Sequence, residues 1–196
     1  MTKAAPQLHL ASASPRRAEI LEALGISHTM AGMDIDEQQI PGEAADAMVL
    51  RLAAAKAAAA RADHQGVVLA ADTAVVVDDD VFGKPQGQDD ALSMLNRLSG
   101  RVHRVVTGVA LHWDAGERVA ISTSEVRFRE ISPEEALAYW QSGEPRGKAG
   151  AYAIQGLAGT FVEEIHGSYS GIVGLPVFET AALLAAADIE VIKSTE

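Results

Sequence analysis

The sequence predicts an α/β fold with a mixed central sheet flanked by helices. Three observations predict it. Strand-like and helix-like segments are interspersed along all 196 residues, the pattern of layered α/β domains. Residues 67–77, VVLAADTAVVV, make a nearly continuous apolar run suited to a buried central strand. Residues 104–113 and 118–131 read as two strands around a turn at Asp114-Ala115-Gly116.

Each element has a local cause. In LHLASASPRR (8–17), Leu8 and Leu10 alternate as in a strand, Ser14 offers an N-cap, and Pro15 suits the first helical position. The following AEILEALG places Ile20, Leu21 and Leu24 on one face and Gly25 at the helix end. Residues 43–62 read as a long helix, because AAAKAAAARA favours helix and lets neighbours approach closely. The acidic triplet at 78–80 reads as a solvated turn. Residues 89–98 form a helix closed by Gly100, and Ser132-Pro133-Glu134-Glu135 is a capping box opening a helix that ends near Gly143. A glycine-rich stretch follows, and a closing helix runs from Val177 to Ala187.

Composition narrows the class. Hydrophobic content of 48% and charged content of 22% describe one ordinary globular domain over 1–196, with room for two lobes. No segment has the length and apolarity of a membrane span, and MTKAAPQ lacks the apolar core of a signal peptide. Without cysteine there is no disulfide, thiol nucleophile or thiolate metal site, which fits a cytoplasmic location. The net charge of −11 argues against binding duplex nucleic acid. A phosphate-bearing ligand therefore needs a local pocket of cations, with or without a metal ion.

Arg16 and Arg17 stand where such a pocket could form. They lie in a first helical turn, where the macrodipole disfavours positive charge, unless an anion sits there. Either they hold phosphate or they bend away to surface carboxylates such as Glu19. If they hold phosphate, removing one leaves the empty protein as stable or about 0.3–1 kcal/mol more so. Asp72 interrupts an apolar strand, so its carboxylate must be paired, hydrogen-bonded or metal-bound. Glu37, in DIDEQ, is either helix-start chemistry or a carboxylate sharing a divalent metal with Asp72. Lys56 interrupts an alanine helix, so it either snorkels to solvent or reaches into a pocket. Lys84 follows a glycine that allows close approach and is either a surface lysine or a site cation, and the Gln155 amide hydrogen-bonds either backbone or a ligand base. No histidine pair has zinc-hydrolase spacing, and Walker A, G-x-G-x-x-G and G-x-S-x-G patterns are absent.

LASASPRRAEIL, AADTAVVVDDDVFGKP, SGRVHRVVTGVAL, SGEPRGKAGAYAIQG and GSYSGIVGLP together resemble, in that order, the Maf family of nucleoside triphosphate pyrophosphatases. The resemblance implies an elongated, ITPase-like α/β fold with a substrate cleft between two lobes. It implies hydrolysis of a nucleoside triphosphate to the monophosphate and diphosphate, with Mg2+ or Mn2+. By resemblance, Asp72 is the general base and a metal ligand with Glu37. Ser12, Arg16, Lys56, Lys84 and Lys148 match phosphate-binding positions, and Arg17, Thr73 and Gln155 match positions that select the base. Ala71-Asp72-Thr73 resembles the dTTP/UTP branch, whereas the 7-methyl-GTP branch tends to have SDQ there. The alternatives are a 7-methyl-GTP pyrophosphatase, a phosphatase or phosphoryl transferase, and a nucleotide-binding regulator of cell division. The expected partner is the nucleotide, with no membrane, and a homodimer stays open.

Overall fold

The structure, a computed structural model, describes residues 7–192, so all but the last residue of the MTKAAPQ stretch lies outside the described residues. Along the chain lie β1 (Leu8–Ala11), α1 (Pro15–Ala23), β2 (His28–Ala31), α2 (Ala45–Arg61), β3 (Val67–Val77), β4 (Asp80–Phe82) and α3 (Gln88–Leu98). Then come β5 (Val102–Trp113), β6 (Gly116–Phe128), α4 (Pro133–Gln141), β7 (Val162–His166), α5 (Tyr169–Val173) and α6 (Val177–Ala185). The strands follow the order β2-β1-β3-β5-β6-β7, with β4 on β3. β1 is parallel to β2 and β3, while β4 is antiparallel to β3 and β7 to β6, so the sheet is mixed as expected.

Two units make up the chain. One takes in the chain up to Asp72, Thr107–Ser122 and the chain from Gly174 onward; the other takes in Thr73–Val106 and Thr123–Val173. In the first, Val67, Leu69 and Ala71 of β3 pack with Leu8, Leu10, Leu21, Val109, Leu111 and Leu184. The alternate residues Val68 and Ala70 pack against Ala53, Ala57 and Ala60 of α2. β3 is thus covered on both faces here, which is why its sequence is continuously apolar. The small side chains bring α2 close to the sheet. At Gly108 of β5 a Cβ would sit 2.6 Å from the Val49 carbonyl oxygen, so only glycine admits this approach.

The second unit has its own core of Val75, Phe82, Leu95, Val126, Phe128, Tyr139, Tyr152 and Phe161. The predicted capping box forms: Ser132 Oγ accepts from Glu135 N–H, and Glu135 Oε2 accepts from Ser132 N–H. Asp78 and Asp80 are exposed and pair with Arg101 and Arg97, so the acidic turn is solvated. The short strands β2, β4 and β7 have too little periodicity to stand out in the sequence.

Candidate active site

Strand alternation places Asp72 on the same face of β3 as Val68 and Ala70, the face that α2 covers. Lys56, on α2, is 8% exposed and does not snorkel to solvent. Its Nζ lies 2.6 Å from Asp72 Oδ1 and 2.6 Å from Glu37 Oε1. A buried ammonium needs such pairing, and two carboxylates provide it. The polar interruption of the apolar strand and that of the alanine helix therefore answer each other.

Glu37 sits in an irregular segment that precedes α2, not at the start of that helix. A network that sequence reasoning misses holds this segment in place. Arg51 Nε and one terminal nitrogen donate to the two oxygens of Glu43 at 2.6 Å each, and the guanidinium also donates to the Gln38 carbonyl oxygen at 3.1 Å. Glu43 in turn accepts from Ile40 N–H. The eight-residue spacing of Glu43 and Arg51, two helical turns and a cap, is the available signal.

At the start of α1, Ser14 occupies the N-cap but makes no side-chain cap bond, contrary to the simplest expectation. Among the described residues its buried hydroxyl has no partner, and its N–H donates to Ser12 Oγ at 3.2 Å. Ser12 Oγ also accepts from the Arg17 side chain at 3.1 Å, so Ser12 ties the turn before the helix without capping its first amides. Arg17 Nε donates to the Gly174 carbonyl oxygen at 2.8 Å, a tie with no signal in the sequence. Burial pushes the Arg17 guanidinium down to about 10, while the charge of Asp72 pulls it back up, that of Arg16 pushes it further down and that of Glu37 pulls it up. Burial likewise lowers Arg16, with Glu19 opposing. Arg17 turns inward toward the carboxylates, whereas Arg16 still feels the surface Glu19.

This cluster gathers Ser12, Arg16, Arg17, Glu37, Lys56 and Asp72. Lys56 and Arg17 face the carboxylates of Asp72 and Glu37, while Arg16 stands beside them with Glu19 opposite. Hard oxygen donors converging on one cation are also what a divalent metal requires. Among the described residues no three His, Cys, Asp or Glu side chains group as a metal cage. A magnesium ion held by one or two carboxylates and completed by phosphate oxygens and water needs no cage.

The other candidates belong to the second unit. Thr73 lies on the opposite face of β3 from Asp72, and the strand runs through both residues without a break. Lys84 is exposed, and Lys148 Nζ donates to the Arg146 carbonyl oxygen at 3.1 Å. Gly150 N–H donates to the Gly83 carbonyl oxygen at 3.0 Å, which joins the segments carrying these two lysines. Gln155 is exposed between buried Ile154 and Gly156. No signal in the sequence marks Glu144, whose carboxylate accepts from Tyr139 OH, Leu157 N–H and Ala158 N–H.

A family model described as Maf-like protein matches residues 7–187. A dTTP/UTP pyrophosphatase from Hahella chejuensis is 56% identical, over 91% of this chain and 90% of its own. Another dTTP/UTP pyrophosphatase, from Burkholderia lata, is 51% identical over 94% of each chain. Among solved structures, a nucleoside-triphosphatase / dITP/XTP pyrophosphatase from Mycobacterium abscessus is similar with a TM-score of 0.41 at 17% identity, over 62% of this chain and 72% of that one.

Proposed function

The chain belongs to the Maf family, and from that premise we propose that it hydrolyses dTTP and UTP to the nucleoside monophosphate and diphosphate. The observation that carries the chemistry is the Lys56 ammonium held between Asp72 and Glu37. In the reaction a water oxygen bonds to the α-phosphorus. The bond from that phosphorus to the α,β-bridging oxygen breaks, and diphosphate leaves. Asp72 takes the proton of the water. Lys56 holds Oδ1, so Oδ2 is the oxygen that acts as base.

Asp72 and Glu37 would hold Mg2+ or Mn2+, which supplies charge neutralisation on the phosphates when bound. Arg16, Lys56, Ser12 and the first turn of α1 favour negative charge on the transferring group. Lys84 and Lys148 add cations for the leaving diphosphate. Gln155 reads the pyrimidine edge, because its amide both donates and accepts. Arg17, already tied to Gly174 and Ser12, fixes the start of α1 beside that substrate. Thr73 contributes from the other face of β3. The nucleotide substrate and the absence of cysteine support a cytoplasmic location.

A screen of nucleoside triphosphates with product detection tests the proposal. Release of diphosphate from dTTP and UTP, well above ATP, GTP and 7-methyl-GTP, is the expected result. Orthophosphate release points instead to a phosphatase, and a preference for 7-methyl-GTP reverses the substrate assignment. Asp72→Asn keeps size but loses the base, and turnover falls by about 10² to 10⁴-fold in a folded protein. Turnover at the wild-type level in that variant removes Asp72 from the mechanism.

A further inference from the structure

The turn carrying Gln155 is closed by a backbone bond from Gly156 N–H to the Ala153 carbonyl oxygen at 3.0 Å. Gln155 stands between buried Ile154 and a 3₁₀ turn, Leu157–Phe161. One carboxylate and one phenol beneath it add the side-chain ties. Glu144 Oε1 accepts from Tyr139 OH at 2.7 Å and from Ala158 N–H at 3.2 Å, while Oε2 accepts from Leu157 N–H at 2.9 Å. The same Tyr139 oxygen accepts from Ala153 N–H at 3.1 Å. Three backbone donors, two residues before Gln155 and two and three residues after it, thus converge on one pair of side chains.

Gly156 is what lets the carboxylate lie so close. A Cβ there would fall 2.1 Å from Glu144 Oε2. The carboxylate could yield only by giving up its bonds to the turn. Burial alone would raise the Glu144 carboxyl, but the N–H of Leu157, Tyr139 OH, the N–H of Ala158 and the charge of Lys148 outweigh it and leave it below its ordinary value. The group is therefore a charged acceptor at neutral pH, and bonds to charged acceptors are the stronger kind.

We propose that Glu144, with Tyr139, is a positioning residue for base selection: it holds the 153–158 turn so that Gln155 meets the base edge in one geometry. This rests on the reading of Gln155 given above. The clamp's hydrogen bonds go to the turn that carries Gln155, so it acts through recognition of the base.

The test compares kcat and KM for dTTP and for ATP in Glu144→Gln, Tyr139→Phe, Gly156→Ala and Gln155→Ala. Loss of a charge-assisted tie of this kind corresponds to about tenfold or more. In Glu144→Gln the preference for dTTP shrinks by that factor through KM, with kcat on dTTP little changed. Tyr139→Phe and Gly156→Ala shift the ratio in the same direction. Amide exchange at Ala153, Leu157 and Ala158 quickens in Glu144→Gln, which locates the effect in the turn. A folded Glu144→Gln protein with the wild-type ratio overturns the proposal, as does a fall in kcat at unchanged KM. Should Glu144→Gln not fold, Tyr139→Phe decides by the same ratio. A wild-type ratio in Gln155→Ala overturns the base-reading role of Gln155, and the role of the clamp in base selection with it.

Discussion

Replacing Lys56 by Met removes the cation between Asp72 and Glu37 while keeping most of the buried stem. Each carboxylate oxygen lies 2.6 Å from Nζ, so the two oxygens are no more than about 5 Å apart. At that separation, with an effective dielectric constant of about 20, two unit charges repel by about 3 kcal/mol. The Glu37 side chain is 43% exposed and can turn to solvent, which lowers the penalty. The expected loss of stability is therefore about 1–3 kcal/mol near neutral pH. Urea unfolding, with and without Mg2+, measures it. Added Mg2+ recovers more stability in the variant than in the wild type, because a new cation enters between the carboxylates. Turnover of dTTP falls by about 10²-fold or more, since a positioned positive group is missing from the transition state. Wild-type stability together with wild-type turnover would refute the argument, for it would mean that the ion pairs carry neither fold nor function.

Two further outcomes follow from particular contacts. Arg17→Lys keeps the charge but cannot reach both the Gly174 carbonyl and Ser12 Oγ with a guanidinium fork, so the protein loses about 1–2 kcal/mol in urea unfolding. A variant as stable as the wild type would return the helix dipole to first place at this position. His103 is 2% exposed, and burial pushes it down to about 4 from an ordinary value near 6.5. The unfolded chain thus binds the proton more readily, and the contribution is complete above pH 6.5 and lost as pH falls toward 4. Burial, and then the charge of His64, lower His9 as well and add to the same slope. Unfolding midpoints across this window check it: His103→Phe flattens the slope, and an unchanged slope would remove His103 as its source.

Much of the site is legible in the amino-acid sequence, because its residues violate local rules. Asp72 in an apolar strand, Lys56 in an alanine helix and two arginines in a first turn each lack a local reason, and each points to a partner elsewhere. The expectation that removing Arg17 stabilises the empty protein counts only the helix dipole and omits the bonds that Arg17 makes in the folded chain. The dipole penalty is local and visible in sequence; the bond to Gly174, 157 residues away, is not. Ser14 shows the same limit from the other side, since the best cap residue by type leaves its hydroxyl without a partner among the described residues, and the side-chain bonds of this turn go to Ser12.

What the sequence determined by itself is whatever short-range periodicity and turn chemistry control. That covers the continuous run of β3, the alanine face of α2, the capping box of α4, the mixed α/β class and the ordered blocks that mark the family. Tertiary structure decided which charges meet. Lys56 finds Asp72 because Gly108 and the alanines bring α2 close to the sheet, and because β3 alternation turns Asp72 toward it. Glu144 finds the 153–158 turn because a glycine at 156 leaves room for its carboxylate. Those pairings are set by the close approach of distant segments, and no local pattern in the chain encodes a distance.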